Sequence, residues 1–484
     1  MNNFFNYSFE NPWFFTNYSF LITLGIFLVF YSILFNQNFL RKLYVIFFSL
    51  FFYYKSSGPF ILIFILLIIC DYNFANAIEK IKNRTIKKTL LVASILLSLS
   101  FLIYFKYSGF FITNFNQLFN TNFSVGKMFL PIGISFYTFQ SISYIVDVYN
   151  GKINSSRNFL DYTFYMTFFP HLVAGPIVRA SDFIPQINTP HVIDRTQYKT
   201  AFFRILLGLS KKLLIADFLS KYVDMIHANP SSYSGFENIV SMYAYSCQIY
   251  FDFSGYSDIA IGIALLMGYQ LKENFDNPYK ATNITDFWRR WHISLSSWLR
   301  DYIYIPLGGS RKGKFNTYLF LLITMTIGGI WHGASWNFIV WGIAHGIALV
   351  LHKLFFVSQN DKIKKEDNWV VKIIGIFITF NFVSLFWILF RAENFQKAFD
   401  SVNKIISSFK PNDIIGFYFA RKELLLMLLF AFVVIFMHKN VKLFLQKIFI
   451  KFPAVIIVLI LIMFLQFVLQ IRNTEIAPFI YFQF

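Results

Sequence analysis

Residues 315–352 read FNTYLFLLITMTIGGIWHGASWNFIVWGIAHGIALVLH, 38 residues without one Asp, Glu, Lys or Arg. A helix needs roughly 20 apolar residues to cross the hydrocarbon core of a bilayer, so this run is long enough for two. Breaks are expected near Gly328 and Gly329 and at Gly333. Other charge-free runs lie at 11–40, 89–105, 128–146, 373–390, 424–438 and 452–471. Shorter apolar pieces at 45–54 and 60–70 suit short, tilted or re-entrant helices. Run length predicts an all-α, polytopic integral membrane protein with about 10 to 12 spans.

Composition agrees. Of 484 residues, 56% are hydrophobic, 66 are Phe and only 14% are charged, against about 25% charged in soluble domains. A soluble chain could not hide that much apolar surface. Disorder and collagen-like fibres fail on the same figures, and two cysteines exclude a disulfide scaffold. The formal charge of +19 would suggest nucleic acid in a soluble protein. In this chain it reads as the Lys/Arg excess of cytoplasmic loops, with the lipid bilayer as partner and no nucleic acid.

The same charges give a direction. No Lys or Arg precedes Arg41, so the start lacks the basic region of a signal peptide. Arg41 and Lys42 follow the first run and are read as cytoplasmic, which puts the N-terminus outside. Lys80, Lys82, Arg84, Lys87 and Lys88 mark a second cytoplasmic loop, and Lys439, Lys442, Lys447 and Lys451 a later one. The uncharged, Asn-rich stretch 113–122 fits the outer side, and the last span delivers Phe484 outside. A miscounted half-helix would reverse this parity. No repeat, low-complexity linker or hinge divides the chain, so residues 1–484 are read as a single membrane domain, with core motifs at 128–346 and an aromatic motif at 478–484.

The chemistry concentrates between residues 250 and 336. Asp252 and Asp258 stand in an apolar setting, as partners of basic residues or as catalytic groups. Asp286, Arg289 and Arg290 lie among Phe287, Trp288, Trp291 and Trp298, too costly for a lipid-facing span. Trp288, Trp291, Leu295 and Trp298 recur at three- and four-residue steps, which predicts an in-plane amphipathic helix. His332, inside the long uncharged run, is costly at membrane depth unless it faces a cavity or a partner. Its near-neutral pKa suits a general base; the alternative is a packed histidine bonded to a neighbouring helix. Gly329, Gly333 and Ala334 beside it permit close approach of a ligand or backbone. His345 and His352 read as packing or interface residues, and His191, His227 and His438 have no constellation around them. No HExxH or Cys/His spacing supports a metal.

These blocks resemble the membrane-bound O-acyltransferase family, in its bacterial branch that acylates exported cell-envelope polymers such as alginate and peptidoglycan. DFWRRWH (286–292) and WHGASW (331–336) carry most of the likeness, supported by PIGISF (131–136), FPHLVAGP (169–176) and DYIYIPLGG (301–309). The resemblance implies tilted helices around a thinned, funnel-shaped centre, with a thioester donor entering from the cytoplasm and the acceptor outside. His332 matches the family's invariant catalytic histidine. His292 matches a second active-site position, often Asn in eukaryotic relatives. The terminal PFIYFQF (478–484) reads on its own as an aromatic belt at the interface; by the resemblance, Tyr481 accepts the acyl group and passes it outward.

Acyl transfer from a thioester needs a positioned hydroxyl, a base and oxyanion stabilisation. His332 is the expected base, and His292 the residue that orients the thioester or stabilises the oxyanion. Trp288, Trp331, Arg289 and Arg290 are expected at the donor, the arginines meeting its phosphates unless they snorkel to lipid head groups. No bound cofactor is expected; acetyl-CoA or an acyl carrier protein supplies the acyl group. The resemblance also implies a periplasmic serine-type transferase as partner. The expected function is acetyl transfer across the inner membrane for a cell-envelope polysaccharide. Peptidoglycan is favoured because richness in Phe, Asn, Ile and Lys points to an A+T-rich genome, unlike typical alginate producers. Alginate or another exopolysaccharide is the alternative, then teichoic acid D-alanylation. A transporter or flippase with a His292–His332 proton relay is the alternative of a different class.

Overall fold

The computed structural model describes residues 6–8, 12–124, 126, 129–173, 175–189, 193–357, 368–471 and 479–480. Its regular elements, among the described residues, are helices. Five are long and apolar enough to cross a membrane: Asn38–Lys80, Arg84–Phe119, Gly235–Leu266, Trp336–Phe355 and Trp369–Arg391. Pro411–Phe436 and Lys439–Lys451 form a further pair bent by 92°, and Tyr18–Leu34 and Ala454–Phe467 are shorter apolar helices. The charge-free runs suggested more spans because freedom from charge is a weaker condition than apolarity over a straight helix. Lys314–His332 illustrates this: Asn316, Thr317, Thr324 and Thr326 dilute it.

The run 315–352 divides into Lys314–His332 and Trp336–His352, with the break at Gly333 to Ser335. Gly328 and Gly329 do not break the helix. A Cβ on Gly329 would lie 2.3 Å from the Phe338 carbonyl oxygen, and one on Gly342 would lie 2.5 Å from that of Met325. These two glycines let the helices touch backbone to backbone, as small residues do in membrane bundles.

The chain forms two compact units, Met1–Ile205 with Tyr256–Lys272, and Leu206–Gly255 with Glu273–Phe484. In the first, Arg41 and Lys42 are buried within Asn38–Ser57 and are not loop charges. Lys42 Nζ lies 2.5 Å from Asp161 Oδ1, and Arg41 donates to the Phe35 carbonyl at 2.8 Å. Burying a cation is tolerable only with such partners. Lys80, Lys82, Arg84 and Lys88, by contrast, are exposed where Ile61–Lys80 meets Arg84–Leu102. Asp258 of this unit pairs with Arg204 at 2.9 Å.

The second unit holds the described residues of the candidate site. The expected in-plane helix is absent from it as a single element. Ile284–Arg290 and Ile293–Leu299 are separate short helices, interrupted at Trp291 and His292. Trp288, Trp291, Leu295 and Trp298 are all buried, so the aromatic stripe packs inside the protein rather than on lipid.

Candidate active site

His292 occupies the break between the two short helices with φ 43° and ψ 55°, a left-handed conformation disfavoured for residues other than Gly and Asn. Asn274, fully buried, holds it there. The backbone N–H of Ile293 donates to the Asn274 carbonyl at 2.9 Å. The N–H and Oγ–H of Ser294 donate to Asn274 Oδ1 at 3.2 and 2.9 Å, and His292 Nδ1 lies 3.2 Å from the same oxygen. An atom that accepts a peptide N–H is an acceptor, so Nδ1 carries the imidazole proton and Nε2 the lone pair. His292 lies outside the candidate spans, and burial pushes its pKa down to about 3. The ring is neutral at physiological pH.

His332 is the last residue of its helix and is buried. Trp341 and Phe390 pack edge-on against it, each with centroids 5.1 Å away. Such contacts restrain the imidazole without competing for its nitrogens. Trp331 joins the two histidines: its indole lies 5.0 Å from the His332 ring and 6.0 Å from that of His292. Two residues 40 positions apart in sequence are thus brought to one indole.

The four residues expected at the donor separate. Arg290 Nε bonds Asp286 Oδ1 at 2.8 Å one helical turn away, which ties it into the helix. Arg289 and Trp288 line a cavity of about 520 Å³ with Ile293, Ser296, Ser297, Arg300, Lys353 and apolar side chains. Arg300 and Lys353 therefore add two cations to this wall that were not expected at the donor: Arg300, which also pairs with Asp301 at 2.8 Å, lies inside the 250–336 stretch, and Lys353 lies just past the uncharged run. Trp331 is away from this wall and stands between the histidines. His345 is buried against Trp288 and Trp341, with centroids 5.4 and 4.6 Å away, and His352 Nδ1 lies 2.9 Å from Thr285 Oγ1. His438 caps the helix that follows it and His227 packs against Tyr245. His191 and Tyr481 lie outside the described residues.

Comparison with known proteins gives this arrangement a context. A model of the membrane-bound O-acyltransferase family matches residues 152–392, which include both histidines. A peptidoglycan O-acetyltransferase of Helicobacter pylori is 38% identical over 383 residues, 74% of this chain and 72% of the relative. The chain belongs to the membrane-bound O-acyltransferase family. A probable alginate O-acetylase of Pseudomonas aeruginosa is 43% identical to this family member over 313 residues, 64% of the chain and 58% of that protein. A teichoic acid D-alanyltransferase of Bacillus subtilis is 30% identical over 280 residues, 55% and 69% of the two chains. The matches span 58% and 61% of the alginate relatives of P. aeruginosa and P. putida, less than two thirds of their length.

Proposed function

We propose that this protein is an O-acetyltransferase of the bacterial inner membrane. It passes acetyl from a cytoplasmic thioester, coenzyme A or an acyl carrier protein, toward a cell-envelope polysaccharide outside. The observation that carries this reading is the convergence of His292 and His332 on Trp331, with a cation-lined cavity against the His292 segment. The donor's phosphates meet Arg289, Arg300 and Lys353, and its acyl arm enters between Trp288 and the apolar wall.

His332 takes the proton of the accepting hydroxyl as that oxygen attacks the thioester carbonyl. The tetrahedral intermediate collapses by breaking the C–S bond, and the imidazolium returns its proton to the leaving thiolate. General base catalysis of this kind contributes about 10²- to 10⁴-fold. His292, neutral and fixed by Asn274, orients the thioester. Tyr481 is the first acceptor: a phenyl ester has a better leaving group than an alkyl ester, which favours onward transfer to a periplasmic serine-type transferase. Both termini are outside, and the exposed basic junction at 80–88 supports that orientation.

Peptidoglycan is the favoured polymer, since the relative named for it aligns over 74% of this chain. Alginate is the second reading, supported by 43% identity over a shorter stretch. The test is ester-linked acetate on isolated peptidoglycan and exopolysaccharide from a deletion strain carrying the wild-type gene or His332→Ala. The variant is expected to restore no acetate to either polymer. Full restoration overturns the assignment of His332. Labelled acetyl-CoA offered to purified protein separates transfer from a transporter role, in which no thioester turns over.

A further inference from the structure

Asp252 is buried in the helix Gly235–Leu266, where a carboxylate without partners would be heavily penalised. Its Oδ1 lies 2.5 Å from Lys212 Nζ, and the same ammonium meets Asp217 Oδ1 at 2.7 Å. Lys212 itself is 1% exposed. Its turn, Lys211–Ala216, is a single wide π-helical one. One buried cation is therefore shared by two acids.

The other oxygen faces a different part of the chain. Asp252 Oδ2 accepts the backbone N–H of Ile480 at 2.9 Å, across 228 residues of sequence. Phe479 and Ile480 are both buried, and the Phe479 ring packs on Phe253 with centroids 5.5 Å apart. Phe253 in turn meets the His292 ring edge-on at 4.7 Å. A backbone contact fixes the path of the segment, and a single phenyl ring separates that segment from an active-site histidine.

We propose that Asp252 is a positioning residue: held by Lys212 and Asp217, it latches residues 479–480 beside the histidine site. The functional meaning of the latch rests on the relay reading of Tyr481, the next residue in sequence. Neither acid then acts on substrate. The cluster supplies a charge-assisted hydrogen bond that sets where the tail is held while the acyl group is handed over.

Hydrogen–deuterium exchange of the full-length protein in detergent reads the latch directly. The Ile480 amide is expected to exchange about tenfold to a hundredfold faster in Asp252→Ala than in wild type, the loss of one hydrogen bond to a charged group, with helix Lys314–His332 unchanged. Ile480→Pro removes the donor and leaves the ion cluster whole. It is expected to lower kcat for acetyl transfer by a similar factor, with KM for acetyl-CoA within about twofold and the Phe479 amide deprotected. Unchanged exchange at Ile480 in Asp252→Ala overturns the latch. So does wild-type kcat in Ile480→Pro if Tyr481→Phe is inactive. Tyr481→Phe separates the two ideas: a deprotected Ile480 in Asp252→Ala together with full polymer acetylation by Tyr481→Phe keeps the latch and removes the relay.

Discussion

Asn274 Oδ1 sits 3.2 Å from His292 Nδ1, and the same oxygen accepts the N–H of Ser294 two residues further on. A single carboxamide thereby sets the backbone strain, the tautomer and the ring orientation of one histidine of the candidate site. Asn274→Ala leaves these buried donors without their acceptor, a loss of about 1–3 kcal/mol. Transfer rates should fall by roughly 5- to 150-fold if that loss falls on the transition state, with KM for the donor little changed. Steady-state assays with a labelled acetyl thioester check this. A raised KM with normal kcat would place Asn274 in binding instead.

The adjacent arginines should behave differently. Arg289→Ala removes a cation from the cavity wall and should raise KM for acetyl-CoA several-fold, with a weaker dependence on salt than wild type. Arg290→Ala breaks a partly exposed i,i+4 pair with Asp286, worth about 0.3–0.5 kcal/mol. It should leave KM alone. Equal effects of the two substitutions on KM would contradict the separation.

Gly329 and Gly342 set the contact between the helices that carry His332 and Trp341. Gly329→Ala and Gly342→Ala each force a Cβ against a backbone oxygen, and overpacking of this kind costs about 1–3 kcal/mol. Both should lower the thermal unfolding midpoint in detergent by several degrees. Gly25→Ala, where nothing lies within 4 Å, is the control and should not.

Acid should act through His292. Its ring binds a proton only near pH 3 when folded, whereas an unfolded histidine does so near about 6.5. Between those values the unfolded chain takes up a proton that the folded one refuses. Stability therefore falls as pH falls through that window. His292→Asn, a residue that tolerates the left-handed backbone, removes this titration. The slope of stability against pH should become shallower by up to about 1.4 kcal/mol per unit. Unfolding midpoints at pH 7 and pH 4.5 for both proteins measure it, and an equal drop in each would contradict the assignment.

Much of this was legible in the residues themselves. The uncharged run 315–352 announced a pair of helices, and a histidine within it is expensive enough to demand a purpose. Asn274 was not legible. Its role is a contact across 18 residues made by an ordinary loop amide, with no periodicity to mark it. The interruption at Trp291 and His292 was hidden for a related reason. No Gly or Pro signals it, because Asn274 rather than local sequence stabilises the left-handed residue. The burial of Arg41 and Lys42 was hidden in the opposite sense: next to an apolar run they read simply as flanking charges, yet Lys42 is held by Asp161 and Asn188, more than a hundred residues away, and Arg41 donates to the Phe35 and Ile187 carbonyls.

The glycine contact between Lys314–His332 and Trp336–His352 has an evolutionary consequence. Main-chain contact at Gly329 and Gly342 sets how closely these helices approach, and neither His292 nor His332 lines the 520 Å³ cavity. Side chains such as Leu321 and Leu349 on the cavity wall can drift in size while the two histidines keep their registration. On the proposed function, a scaffold of this kind changes the acyl chain it accepts by a few wall substitutions, without having to reinvent its chemistry.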